Sequence, residues 1–212
     1  MRTMSSVIPK TYEIEVFADS TCDVIFTTNV TETEVIVEES GEKEVQYVYD
    51  MYRLHMPYSE TLSDRIGENY TTWLAKAIDS ELSSIVSKKI TETRDACQST
   101  IYKGIDLTTE YGDEHFSLDI HDQQNLSAIN MILATGVTEY PYHADGKGCV
   151  MYSAKDLSNL IKAGTEYITY HTTYCNMLRM WINRETDIDV LSGIHYGSEL
   201  PVDLKEYMEG LL

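Results

Sequence analysis

The chain has 212 residues, and its 35 acidic and 16 basic side chains give a formal net charge of -19 at pH 7. Such a charge repels nucleic acid and anionic membranes through its long-range field, and the pair Lys88-Lys89 is too small to form a basic patch. No run approaches the roughly 18 apolar residues of a membrane span, and the first residues lack the apolar run of a signal peptide. We therefore expect synthesis in the cytoplasm, with neither nucleic acid nor membrane as a partner.

The cysteine and tyrosine content indicates a reduced protein that makes extensive contacts. Cys22, Cys97, Cys149 and Cys175 are widely spaced with no CxxC, which in a reducing compartment predicts four buried thiols. The chain also has 16 tyrosines against 3 phenylalanines. Tyrosine combines a large contact area with a polar tip, which favours protein assembly.

The first 57 residues predict a small antiparallel β module. Its strands have acidic outer faces, which we interpret as a solvated surface that discourages edge pairing, in preference to a calcium site. A turn is expected at Ser40-Gly41-Glu42, and residues 51–58 are expected to form a connector that ends at Pro57. The four predicted strands are residues 12–17, 23–29, 33–39 and 44–49.

Apolar spacing from residue 61 to about residue 101 predicts a helix, and Thr61-Leu62-Ser63-Asp64 resembles a capping box. Apolar residues at steps of four drift around an α-helix, so the two ends of such a helix need different partners. We therefore expect a break near residues 88–93. The predicted organisation is a β module at 1–57, a linking helix at 58–92, a duplicated domain at 93–198 and a tail at 199–212.

The duplicated domain is predicted from a unit that occurs twice, about 34 residues apart. Each copy has a turn glycine, an N-cap residue and an acid at the third helical position. These are Gly112, Asp119 and Asp122 in the first copy, and Gly146, Ser153 and Asp156 in the second. We expect two β-hairpins, each followed by a helix, with the second helix running to about residue 183. The fold class is therefore α+β, with an N-terminal antiparallel β module, a long helix, and two hairpin-helix units that end in a long C-terminal helix.

The second helix carries an apolar seam with an aromatic flank, which is typical of coiled-coil-like packing. Its partner is expected to be the helix from residue 61 or another subunit. Gly164 lies in this seam and lowers the stability of the helix by about 1 kcal/mol relative to alanine. Its presence indicates either a closely approaching partner helix or simple tolerance of the glycine. Two short segments should follow, at 187–193 and 202–212. The residues selected as the core or interaction seam are Leu157, Ile161, Gly164, Ile168, Tyr174, Leu178 and Trp181.

Few residues indicate chemistry. The best metal candidate is a zinc set in which two residues lie four apart on one helix face. Other candidates are a Cys-His nucleophile pair, which lacks a Gly-rich oxyanion turn, and a metal site around His115 and His121. The same residues are explained by structural roles: the aspartates cap helices, the cysteines are small core residues, and the histidine is a core residue with its hydrogen bonds made. We therefore predict no enzyme, no catalytic residue and no cofactor. The zinc set consists of His143, Cys149, His171 and Cys175.

Several strings between about residues 90 and 198 resemble an uncharacterised domain of tailed-phage and prophage proteins, which are often encoded near tail-fibre and baseplate genes. The strings are His115-Phe116-Ser117-Leu118, Asp122-Gln123-Gln124-Asn125-Leu126, Pro141-Tyr142-His143-Ala144-Asp145-Gly146, Tyr152-Ser153, Tyr170-His171-Thr172-Thr173-Tyr174-Cys175-Asn176 and Trp181-Ile182.

The resemblance implies a non-enzymatic structural component of a bacteriophage tail, in the baseplate or tail-fibre attachment region. Its partners would be other phage tail proteins, in multiple copies within a symmetric assembly. It would be located in the virion after synthesis in the bacterial host cytoplasm. The alternative is a tail-fibre assembly chaperone that is absent from the mature particle, and a zinc- or cysteine-dependent enzyme is a distant third.

Overall fold

The computed structural model describes residues 2–36 and 43–212 and has the expected α+β fold. The chain divides into two compact units, Met1–Ile85 and Val86–Leu212, and one long helix runs from the first into the second. The predicted boundaries at residues 57, 92 and 198 stay predictions. In chain order the elements are β1 (Arg2–Ser5), β2 (Tyr12–Val16), β3 (Thr21–Ile36), β4 (Lys43–Pro57), α1 (Leu62–Glu68), α2 (Tyr70–Lys103), β5 (Ile105–Thr109), β6 (Gly112–Phe116), α3 (Ile120–Leu133), β7 (Glu139–Tyr142), β8 (Val150–Ser153), α4 (Ala154–Arg184), α5 (Ile188–Gly193) and α6 (Val202–Glu209).

The first unit contains an antiparallel sheet with strand order β1-β4-β3-β2. The predicted sheet is confirmed, but the predicted strands 23–29 and 33–39 share a single strand, β3, which the structure describes as far as Ile36. The register of β3 shifts between Thr28 and Thr31, and residues 37–39 lie outside the described residues. The predicted connector at 51–58 is also wrong, because β4 continues to Pro57 and pairs there with Thr21. Strand β1 was not predicted. The predicted turn at 40–42 lies outside the described residues.

One face of this sheet is buried. Cys22, Val24 and Phe26 alternate along β3 with no exposed surface, as the two-residue period of a strand requires. They pack with Leu62 and Ile66 of α1. The acids predicted to be solvated are exposed where the structure describes them, and they are Glu13, Glu15, Glu32, Glu34 and Glu44; Glu38, Glu39 and Glu42 lie outside the described residues.

The helix break occurs at Asn69 and not at the predicted residues 88–93. Thr61 makes no side-chain capping bond, so the predicted capping box does not form. The helix continues through the predicted break, and hydroxyl side chains there bond to carbonyls one turn back. Thr91 donates to the Ser87 carbonyl, and Thr93 donates to the Lys89 carbonyl at 2.8 Å. The helix interior therefore tolerates these residues.

The second unit confirms the two hairpin-helix copies. Gly112 and Gly146 have φ values of +98° and +71°, which only glycine adopts without strain. The Asp119 carboxylate accepts hydrogen bonds from the backbone amides of His121 and Asp122, and Asp122 completes a capping box. Ser153 caps α4 in the same way by accepting from an amide in its first turn. Helix α4 ends at residue 184, close to the predicted end.

A buried carboxylate joins the two copies. Glu114 of β6 accepts hydrogen bonds from Thr109 at 2.7 Å, from Lys147 at 2.8 Å and from Tyr152 of β8 at 2.9 Å. Only 1% of its side chain is exposed. Because buried charge requires partners, this network fixes the second hairpin against the first. We call these four residues the Glu114 network.

Helix α4 packs within the second unit against the last turns of α2. The Cys97 thiol donates to the His171 carbonyl at 3.4 Å, and the Tyr167 hydroxyl donates to the Thr100 carbonyl at 3.2 Å. A close partner helix was one of two explanations for the glycine of the seam, and the neighbour that the structure shows there is not a helix. A Cβ at Gly164 would lie 3.3 Å from a methyl carbon of Leu118, in the segment between β6 and α3. Among the described residues, no helix is both long and apolar enough to cross a membrane.

Candidate functional site: a tyrosine-lined pocket beside the long helix

A pocket of about 430 Å³ lies in the second unit between α4, the segment after α5, and α6. Its aromatic wall consists of Tyr170, His171 and Tyr174 from α4 and Tyr196 from the segment after α5. Hydrophobic residues complete the lining, and charged side chains lie among them. The hydrophobic residues are Leu200, Met208 and Leu212, and the charged residues are Glu199, Lys205 and Glu209.

The aromatic wall depends on helical spacing. Residues 170 and 174 are four apart, so Tyr170 and Tyr174 project from the same side of α4 one turn apart. The ring of Tyr174 meets that of Tyr196 edge to face, with centroids 5.3 Å apart. Tyr170 and His171 meet in the same way at 5.2 Å. Edge-to-face contacts are a favoured aromatic geometry, so the wall is formed before any ligand arrives.

Most of the polar tips of these rings are already satisfied within the protein. The Tyr174 hydroxyl donates to the Ser198 carbonyl at 2.6 Å and accepts from the Gly197 amide at 3.0 Å. His171 Nδ1 and the Tyr196 hydroxyl share a hydrogen bond of 2.6 Å. These bonds fix the segment after α5 onto α4. The pocket therefore offers ring surface more than hydroxyl groups.

Burial sets the charge state of the wall. It lowers the pKa of His171 below its ordinary value of 6.5, so the imidazole is neutral at pH 7. Burial is also the largest cause that raises the pKa values of Tyr174 and Tyr196. His171, Tyr174 and Tyr196 are therefore uncharged at neutral pH. The charges of the pocket come from two carboxylates and one ammonium group.

Those three charged groups are unpaired within the described part of the chain. Glu199, Lys205 and Glu209 take part in no ion pair within 4 Å there. Lys205 and Glu209 lie four residues apart on α6, which is a spacing that brings side chains close together. The charges are thus available to a partner that enters the pocket.

Of the predicted seam residues, only Tyr174 lines this pocket. Leu157, Gly164 and Leu178 are buried, and Ile161, Ile168 and Trp181 are half-buried, so the seam forms the inner side of α4. Tyr196 and the residues of α6 were not selected from the sequence. The abundance of tyrosine was the one signal, and it does not say which rings meet.

The predicted zinc set is not assembled. His143 and Cys149 are exposed. His171 is bound to Tyr196, and the Cys175 thiol donates to the Thr93 carbonyl at 3.9 Å. In residues 2–36 and 43–212, no group of three or more His, Cys, Asp or Glu side chains could hold a metal ion.

All four cysteines are free thiols, as predicted, but Cys149 is exposed and Cys175 is only half-buried. Burial, reinforced by the neighbouring Cys97, raises the pKa of Cys175 to about 11. A thiol with so high a pKa carries almost no thiolate at pH 7, which opposes a nucleophilic role for Cys175.

His115, a candidate metal ligand, is held by hydrogen bonds within the protein. His115 Nδ1 lies 2.7 Å from Asp106, and its Nε2 lies 2.6 Å from the Lys103 carbonyl at the end of α2. The hydrogen bond with Asp106 is the largest cause that raises the pKa of His115. Asp119 is occupied as the N-cap of α3. These contacts join the first hairpin to the end of α2.

No family of known proteins, no curated protein and no solved structure matches the chain. The resemblance to tailed-phage proteins therefore stays a prediction.

Proposed function

We propose that this chain is a non-enzymatic structural component of a bacteriophage tail, in the baseplate or tail-fibre attachment region. The tyrosine-lined pocket carries the proposal. Its imidazole and two of its hydroxyls are bound to other groups of the protein, while its rings present contact surface. A preformed aromatic pocket of this kind is suited to anchoring a neighbouring protein, because aromatic anchors contribute most of the energy of protein interfaces.

The first unit supports the proposal with a second surface. Strand β3 continues beyond the residues that pair with β2, and β4 continues beyond the residues that pair with β1. They carry exposed β-branched residues, among them Ile36 at 63% and Val45 at 41% exposure. A component with two contact surfaces on two compact units suits a place between several neighbours. We therefore propose other tail proteins as partners, with several copies in a symmetric assembly in the virion.

The alternative is a tail-fibre assembly chaperone that leaves before the particle is complete. The net charge of -19 favours it, because strong charge keeps a protein soluble and separate until it meets its client. Both proposals use the pocket for protein contacts. They differ in whether the contact persists in the finished particle.

The proposal can be tested by deleting the gene in the phage or prophage that encodes it and restoring it in trans. Tyr170→Glu places a charge on the exposed ring surface of the pocket, and Met131→Glu makes the same kind of change on α3, outside the pocket. We expect electron microscopy to show complete tails with the wild type and Met131→Glu, and few with Tyr170→Glu. Normal tails without the gene would contradict the structural role, and circular dichroism would confirm that each variant folds.

A further inference from the structure

We propose that the tyrosine-lined pocket binds an arginine side chain presented by a neighbouring protein. The inference rests on the proposed function, since it names the chemistry by which a tail neighbour is held at that site. Three features carry it: the ring surfaces of the wall, the charges of the pocket, and the hydrophobic residues that line it.

The ring surfaces favour a cation. Tyr170 is 49% exposed, and the hydroxyls of Tyr174 and Tyr196 are bound within the protein. The face of an aromatic ring carries partial negative charge and attracts a guanidinium group placed over it. Arginine is favoured over lysine because its planar group stacks on rings and is weakly hydrated.

The charges of the pocket favour the same ligand. Glu199 and Glu209 contribute two carboxylates, Lys205 contributes one ammonium, and His171 is neutral at pH 7, so the side chains of the pocket carry one uncompensated negative charge. A cationic side chain neutralises that charge, whereas an acidic one would double it. A guanidinium group can also bind a carboxylate through two parallel hydrogen bonds.

The hydrophobic residues fit the rest of the arginine side chain. Leu200 and Met208 are 9% and 6% exposed and line the pocket. The three methylene groups of arginine can lie along such a surface while the charged end stays near the carboxylates. Lys205 opposes the ligand, but its ammonium lies on a long flexible stem four residues before Glu209 and can move toward that carboxylate.

The test is a titration of the full chain with a short arginine peptide, Ac-Gly-Arg-Gly-NH2, followed by nuclear magnetic resonance of isotope-labelled tyrosine rings. The matched ligand contains citrulline, which has nearly the same shape and no charge. We expect the signals of Tyr170 and Tyr174 to shift with the arginine peptide, and the citrulline peptide to bind about fivefold more weakly. An acidic peptide, Ac-Gly-Glu-Gly-NH2, should not bind.

Three variants assign the contacts. Glu199→Gln and Glu209→Gln should each weaken arginine binding about two- to fivefold, because each removes an ion pair at an accessible site. Lys205→Met should strengthen binding, since it removes the one like charge, and a merely structural lysine would not do so. Glu166→Gln is the control, because Glu166 is an exposed residue of α4 outside the pocket.

Equal binding of the citrulline or acidic peptide, or tyrosine signals that do not move, would overturn the arginine inference. That outcome is distinguishable from failure of the proposed function. If tails still depend on Tyr170, the pocket remains a docking site for another side chain. If arginine binds but tails form normally with Tyr170→Glu, the pocket has the inferred chemistry and its role in tail assembly is contradicted.

Discussion

Replacing Glu114 with glutamine should loosen the connection between the two hairpin-helix copies. In the folded protein one carboxylate oxygen of Glu114 accepts from Thr109 and Tyr152, and the other accepts from Lys147. A glutamine carbonyl can keep the first two bonds. Its amide group would then face the Lys147 ammonium, so that contact is lost.

The expected loss is therefore one charge-assisted hydrogen bond at a buried carboxylate, or about 1.5–3 kcal/mol of unfolding free energy. The Lys147 side chain is 51% exposed, so it can turn to solvent at little further cost. Glu114→Ala should cost more, about 3–5 kcal/mol, because it also leaves the Tyr152 hydroxyl, on a side chain that is 1% exposed, without its acceptor.

Urea unfolding followed by tryptophan fluorescence measures this loss. Trp73 lies in the first unit and Trp181 in the second, so a Trp73→Phe background leaves a signal from the second unit alone. Glu166→Gln makes the same substitution at an exposed residue and should change the unfolding free energy by less than about 0.5 kcal/mol. A Glu114→Gln variant as stable as this control would refute the role of the Glu114 network.

Three further results are expected. Burial alone would raise the pKa of Glu114, but its three partners lower it below the ordinary value of 4.5, so its stabilisation is present above pH 4.5 and is lost as pH falls through the folded-state pKa. The stability difference between the wild type and Glu114→Gln, measured by urea unfolding, should therefore shrink in acid, and a constant difference would contradict this. Ile168→Asp should cost about 3 kcal/mol or more of unfolding free energy, because Ile168 packs against the buried hydrophobic residues of the second unit, and an unchanged melting temperature would contradict that packing. Asp119→Ala should cost about 1 kcal/mol by removing the N-cap of α3, and hydrogen exchange should increase in its first turn.

The second unit could be predicted from sequence because its signals are local. The turn at Gly146 and the caps at Asp119 and Ser153 each depend on a few neighbouring residues, and all three occur as expected. The helical spacing of the seam likewise predicted the end of α4 to within about one residue. These features need no information on distant contacts.

The predictions that depended on distant contacts were wrong or missing. Residues 51–57 look like a connector in isolation, and they are a strand because residues 21–27 pair with them. A partner helix was one of two explanations for Gly164, and the atom that Gly164 faces belongs to Leu118, which is far away in sequence. The pocket depends on Tyr196 reaching Tyr174 through the segment after α5, which no periodic pattern encodes.

The most direct test of the account is peptide mass spectrometry on density-purified particles from the phage or prophage that encodes the chain. The number of copies would be estimated against the major tail protein. A structural component of the tail should be present in a fixed ratio in every particle. Its absence from particles, with abundance in the lysate of the infected cells, would contradict a structural role in the virion and favour the assembly chaperone.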